Sequence, residues 1–100
     1  MSRVLVSDDG GSVRVSEAAL VQLVDGAVSS VEGARLRKRR RLTLELADGR
    51  ARAELEISAA YGSILPDVAR AVQEQVAVAL ARVCDVEVDA VDVAVVELTR

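Results

Sequence analysis

The sequence holds no histidine, tryptophan or phenylalanine, and only one tyrosine, one cysteine and one proline in 100 residues. Each shortage closes off some chemistry. Without histidine there is no Ser-His-Asp or Cys-His nucleophile pair and no imidazole metal ligand. The single cysteine, Cys84, cannot build a structural zinc site or an internal disulfide, and an unpaired thiol fits a reducing compartment. Cys84 reads as a small buried hydrophobe near a helix end, and its neighbour Asp85 would raise rather than lower the thiol pKa. With Tyr61 as the sole aromatic, the core must be assembled from Val, Ala, Leu and Ile. Such a core removes less apolar area per residue from water, at about 25 cal/mol per Å². Self-association or a partner is then an expected further source of stability.

Long apolar runs are also missing. No segment suits a signal peptide, and none reaches the roughly 20 apolar residues of a membrane span. The expectation is a cytoplasmic protein that meets a membrane only peripherally. The length suits one domain, with residues 1–10 as a leading segment and 11–100 as the domain proper.

Charge is present but uneven. Thirteen basic residues face sixteen acidic ones, for a net charge of −3. Six of the thirteen are Arg35, Arg37, Lys38, Arg39, Arg40 and Arg41, which leaves an acidic body with one basic stretch.

The apolar pattern alternates between two periods. Val4-Leu5-Val6 reads as a short strand interrupted by Asp8-Asp9-Gly10-Gly11, and Val13-Arg14-Val15 as another. Ser16 suits a helix N-cap, with Glu17 in the first turn. Leu20, Val24, Ala27, Val28 and Val31 then recur at helical spacing, which predicts a helix over 17–30 ended by Gly33.

Residues 42–58 read as a β-hairpin about Asp48-Gly49, a strong two-residue turn signal. That turn places Glu45 opposite Arg52, Thr43 opposite Glu54 and Arg41 opposite Glu56, while Leu46, Leu44 and Leu42 meet Ala51, Ala53 and Leu55. Opposite-charge pairs across strands contribute about 0.2–1 kcal/mol each. A slip of one residue would send the leucines to the solvent side.

Tyr61-Gly62-Ser63 reads as a loop, and Pro66 suits the first turn of a helix over 66–83. The stripe Val68, Val72, Val76, Ala79, Leu80 and Val83 is widened by Ala69, Ala71, Ala77 and Val78. Ala69, Val72, Val76 and Ala77 therefore have two readings, a deep core helix or a face for a partner helix. In the last segment Val86 and Val88 alternate with acids, then the phase shifts to Val91, Val93 and Val95. A bulge or short turn near Asp89-Ala90 accounts for the shift.

The element order β-α-β-β-α-β predicts a single α+β domain with an antiparallel-rich sheet and both helices on one face. A ferredoxin-like arrangement is the first candidate for the strand order.

Four segments in this order resemble the alkaline shock protein family of bacterial envelope-stress proteins. They are Gly11-Ser12-Val13-Arg14-Val15-Ser16-Glu17-Ala18-Ala19-Leu20, then Val31-Glu32-Gly33-Ala34, then Tyr61 through Ala69 running into Val72-Gln73-Glu74-Gln75-Val76, and finally Val86 through Val95. The resemblance covers about 11–98. Two features depart from it. Asp85 stands where a glycine often ends the last helix, and Asp tolerates the left-handed conformation better than most residues. The basic run after Gly33 has no family-wide equivalent. The resemblance implies a non-catalytic scaffold in envelope homeostasis, with a partner that in some members is membrane-anchored. It implies no catalytic residue, metal or cofactor.

The run Arg35–Arg41 has three readings. It is a solvated loop and edge guard, a docking patch for anionic lipid headgroups or an acidic partner segment, or a nucleic-acid site. The last is the weakest, because sheets that read single strands stack bases on aromatic side chains and this one has none. Glu54 with Glu56, and Asp85, Glu87, Asp89 and Asp92, could be paired for acid–base work; carboxylates on an exposed strand face are more often solubilising charges.

Overall fold

In a computed structural model of the chain, residues 3–5, 16–37 and 42–100 are described. The elements are β1 (Arg3–Leu5), α1 (Glu17–Ser29), β2 (Ala34–Arg37), β3 (Thr43–Ala47), β4 (Arg50–Ala60), α2 (Leu65–Cys84) and β5 (Glu87–Thr99). The strand expected at Val13–Val15 lies outside the described residues, and so does Arg41; the place opposite Glu56 that was expected for Arg41 is taken by Arg37 of β2, because β2 lies in line with β3 along the same edge of β4.

The hairpin forms in the register set by its turn. Thr43 lies opposite Glu54, Glu45 opposite Arg52, Leu46 opposite Ala51 and Ala47 opposite Arg50. Asp48 and Gly49 have φ of 56° and 72°. Two positive φ values in a two-residue loop match the right-handed twist of the strands that it joins.

Everything else is arranged about β4. Its first half pairs antiparallel with β3 and its second half antiparallel with β2, so β2 and β3 lie end to end along one edge. β2 stops with Arg37 opposite Glu56, and β3 starts with Thr43 opposite Glu54. β1 adds to β3 in parallel. The other edge of β4 is taken by β5, also in parallel, from Arg50–Glu87 to Ala60–Thr99.

The fold is α+β, with two helices and the antiparallel pairings on one edge of β4. Its strand order is not that of a ferredoxin-like sheet. A split βαβ unit places another strand between the two that its helix joins; here α2 joins β4 to β5 and the two pair directly. The expected bulge is present, with a register shift that leaves Asp89 unmatched, and a second shift leaves Val96 unmatched.

The helices begin and end for local reasons. The Ser16 hydroxyl accepts from the Ala19 N–H at 3.0 Å and caps α1. Pro66 sits in the first turn of α2, and Asp85 ends that helix in the left-handed conformation at φ 52°. Gly33, at φ 82°, turns the chain from α1 into β2. A Cβ there would stand 3.1 Å from the Ala60 Cβ, and the Gly33 carbonyl accepts from the Ala60 N–H at 2.9 Å. The position requires glycine for its φ and for the close approach.

Both helices cover the same face of the sheet. Leu20, Val24 and Val28 of α1 and Val72, Val76 and Leu80 of α2 form one buried cluster with Leu42, Leu44, Leu46, Ala51, Ala53, Leu55, Ile57 and Val91. The alanines of β4 leave room for the leucines and valines above them, which is how an aromatic-free core closes. No described helix is long and apolar enough to cross a membrane.

Candidate interaction surfaces

The face of the sheet away from the helices is a lattice of charge. Across β3, β4 and β5, one row reads Glu45, Arg52 and Ala90, and the next Thr43, Glu54 and Asp92. Across β2, β4 and β5 the rows are Arg37, Glu56 and Ala94, then Arg35, Ser58 and Glu97. Thr43, Glu45, Arg52, Glu54 and Asp92 line a shallow depression in the middle of this face.

Among the described residues, ion pairs at both ends of the sheet hold it from this side. Arg37 reaches over β4 to Glu97, Nη2 to Oε2 at 3.1 Å, and so ties the two outer strands together. The pair crosses beside Ser58, the one polar residue among the buried residues described, which is 1% exposed. At the hairpin end, Arg50 grips the bulge. Its Nε donates to both oxygens of Asp89 at 3.0 and 2.9 Å, its Nη2 donates to Oδ1 at 2.6 Å, and Glu87 stands 3.9 Å from Nη1. The Arg50 hydrogen bonds hold the Asp89 carboxyl below the usual carboxylate range, and Asp89 in turn raises the Arg50 guanidinium. Both pairs lie on the surface, so salt screens them.

Arg35 and Arg37 are therefore strand residues, exposed on the helix-free face, and not part of a loop. Lys38, Arg39, Arg40 and Arg41 lie outside the described residues. Of the residues placed on a partner-helix face, Val72 and Val76 are fully buried in the core of the single chain. That corrects the partner-face reading for these two; they are spent on α1 and the sheet. Ala69 and Ala77 are half-buried at the margin of the helix.

The remaining candidates carry little chemistry. Glu54, Glu87, Asp89 and Asp92 are exposed on strands. Among the described residues no group of three or more Asp, Glu or Cys could hold a metal ion. Cys84 is half-buried at the end of α2, and burial pushes its thiol pKa up, away from the reactive range. Tyr61 stands beyond the end of β4, 64% exposed, with the Arg100 guanidinium 5.0 Å from its ring centre. The sequence signals missed the Arg50–Asp89 and Arg37–Glu97 pairs, since both depend on β5 lying parallel to β4.

The sequence profile of the alkaline shock protein 23 family, described as having a cell envelope-related function, matches residues 22–100. The chain belongs to that family. The match takes in α1 from Gln22 onward, all of α2 and every strand from β2 onward. No curated protein matches the chain. Among solved structures, a MamM-CTD variant is similar, with 14% sequence identity, a TM-score of 0.56, and coverage of 82% of this chain and 98% of that one. At that identity the likeness concerns the fold alone. This alkaline shock protein thus shares its helix-backed sheet with a chain of very different sequence.

Proposed function

We propose that the protein is a non-catalytic scaffold in bacterial cell-envelope homeostasis and stress response, acting through protein–protein contacts on the cytoplasmic side. Membership of an envelope-related family, matched over 22–100, carries this reading. The layout of the molecule supports it: the helices are used up on one face, and the other face offers fixed, alternating charge. Its partner is a protein, membrane-anchored in the simplest arrangement, and peripheral contact with the membrane follows from that tether. Self-association is a second expected contact.

A low-salt pull-down of the tagged protein from its native cells tests the reading. The expected result is a membrane-anchored protein partner without nucleic acid. Nucleic acid that washes off with salt, and is lost when Arg35 and Arg37–Arg41 are neutralised, would overturn it in favour of a phosphate-binding role. Light scattering on a sizing column tests self-association, and a strict monomer at high concentration would remove that part.

A further inference from the structure

We propose that the edge of β5 that no described strand pairs is a docking site for an extended, alternately apolar and basic segment of a partner protein, which adds to the sheet as a further strand. The proposal rests on the scaffold reading and names the surface and the partner chemistry within it.

β5 is 13 residues long, and among the described residues it pairs only with β4. Unpaired backbone donors and acceptors along a strand edge are a template for another strand, and natural edges are usually blunted by bulges, short length or charge. Here the two bulges, at Asp89 and Val96, fall at the ends. Between them Ala90–Val95 is a regular stretch of about 20 Å at 3.3 Å per residue, with Asp92 as its one charge. The bulges bracket this stretch, and within it the Val91 carbonyl already accepts from the Gln73 side-chain amide, so the part left open to a partner runs from Asp92 to Val95.

The two sides of that edge differ. On the helix side Val93 and Val95 are half-buried, and α2 runs beside them. Gln73 of α2 marks how near the helix lies, because its side-chain amide donates to the Val91 carbonyl at 3.0 Å. One turn further along, Ala77 is small and half-buried, which leaves space for an incoming apolar side chain. On the helix-free side Asp92 lies next to Glu54; Glu45 and Arg52 line the same depression opposite one another, which leaves Asp92 and Glu54 as its excess negative charge. Added strands gain affinity from main-chain hydrogen bonds and specificity from alternate side chains. A strand with apolar residues toward Ala77 and Lys or Arg toward Asp92 and Glu54 fits both sides.

A second copy fits less well. An antiparallel pair of β5 strands centred on this stretch would bring the two Asp92 carboxylates near one another, with no base on either strand before Arg100. The β2 edge offers Arg37, but that side chain already holds Glu97 of its own chain.

The test uses a short blocked peptide alternating valine and lysine, with a valine–glutamate peptide as control, and amide exchange on the whole protein. The lysine peptide should bind at low salt and protect amides within Ala90–Val95, and the glutamate peptide should not. Asp92→Lys, at an exposed position, should weaken binding about fivefold or more. The proposal is overturned by absent binding at low salt, by equal binding of the two peptides, or by protection elsewhere than β5. It is also overturned if Ala90–Val95 is already protected in the free protein in a concentration-dependent way, which would mean that a second copy fills the edge. A partner captured from cells that leaves β5 amides unprotected would sink the docking site and leave the scaffold reading standing.

Discussion

The two faces of β4 carry different jobs on alternate residues of one strand. Ala51, Ala53, Leu55 and Ile57 point under the helices and are buried, whereas Arg50, Arg52 and Glu54 are exposed on the other side. The first set is coupled to both helices at once, so its identity is fixed by volume. The second set touches only neighbours in the sheet and solvent, so it is free to specify a surface. Stability resides on one side of this strand, and the proposed scaffold role would draw on the other.

That contrast can be broken at several points. Truncating the helix-covered side should cost most: Ile57→Ala or Leu44→Ala, both 0% exposed, should lose about 2–5 kcal/mol. Thr43→Ala or Glu54→Ala on the opposite side should stay within about 0.5 kcal/mol. Urea denaturation of the four variants decides it, and equal losses on the two faces would erase the distinction.

Gly33→Ala comes next. It forces a Cβ into a left-handed position at 3.1 Å from the Ala60 Cβ, and should cost about 1–2 kcal/mol or more. A neutral variant in thermal melts would show that the α1–β2 turn can relax. Ser16→Ala removes the α1 cap and should cost about 1 kcal/mol by the same measurement.

The smallest effect sharpens the comparison on the exposed side. The Asp89 carboxyl is held below its ordinary value by Arg50. The contribution of the pair is therefore complete above the unfolded carboxylate pKa of about 3.9 and fades as pH falls through the lower folded value. Asp89→Asn should melt slightly below the parent protein near neutral pH, converge with it in acid, and converge again in high salt. A gap that widens in acid would contradict the assignment.

Between Thr43 and Glu54 the hairpin was legible in the sequence because three signals agreed: Asp48-Gly49, the alternating leucines, and opposite charges at Glu45 and Arg52; beyond that, the place opposite Glu56 is taken by Arg37. The Ser16 cap was legible from its residue type, the bulge at Asp89 from the shift in the phase of alternation, and the left-handed Asp85 from the resemblance, which often has glycine there. β2 was not, although Ala34 and Leu36 alternate with Arg35 and Arg37. Four residues of alternation are too few to stand out at the head of a basic run. The direction of β5 was hidden for another reason, since alternation is the same in parallel and antiparallel strands. Only the crossover through α2 carries that information. Likewise the stripe through Val72 and Val76 showed that α2 is apolar without showing which side the core would claim. Of the candidate surface, the charges of the hairpin were readable, but the edge proposed for docking takes shape only once β5 has been placed.

The pairing of β4 with β5 also fixes when the molecule can become complete. Arg50 meets Glu87 and Ala60 meets Thr99, so each partner of β4 on this side lies nearly forty residues downstream. The hairpin with β3 closes locally and early, but its other flank must wait for the helix and strand that follow. During synthesis the ribosome therefore releases β4 well before it releases its cover, and for that interval the alanine-rich strand is an unprotected sheet edge. High contact order of this kind slows folding, and until the thirteen residues of β5 emerge the uncovered edge is where aggregation would begin.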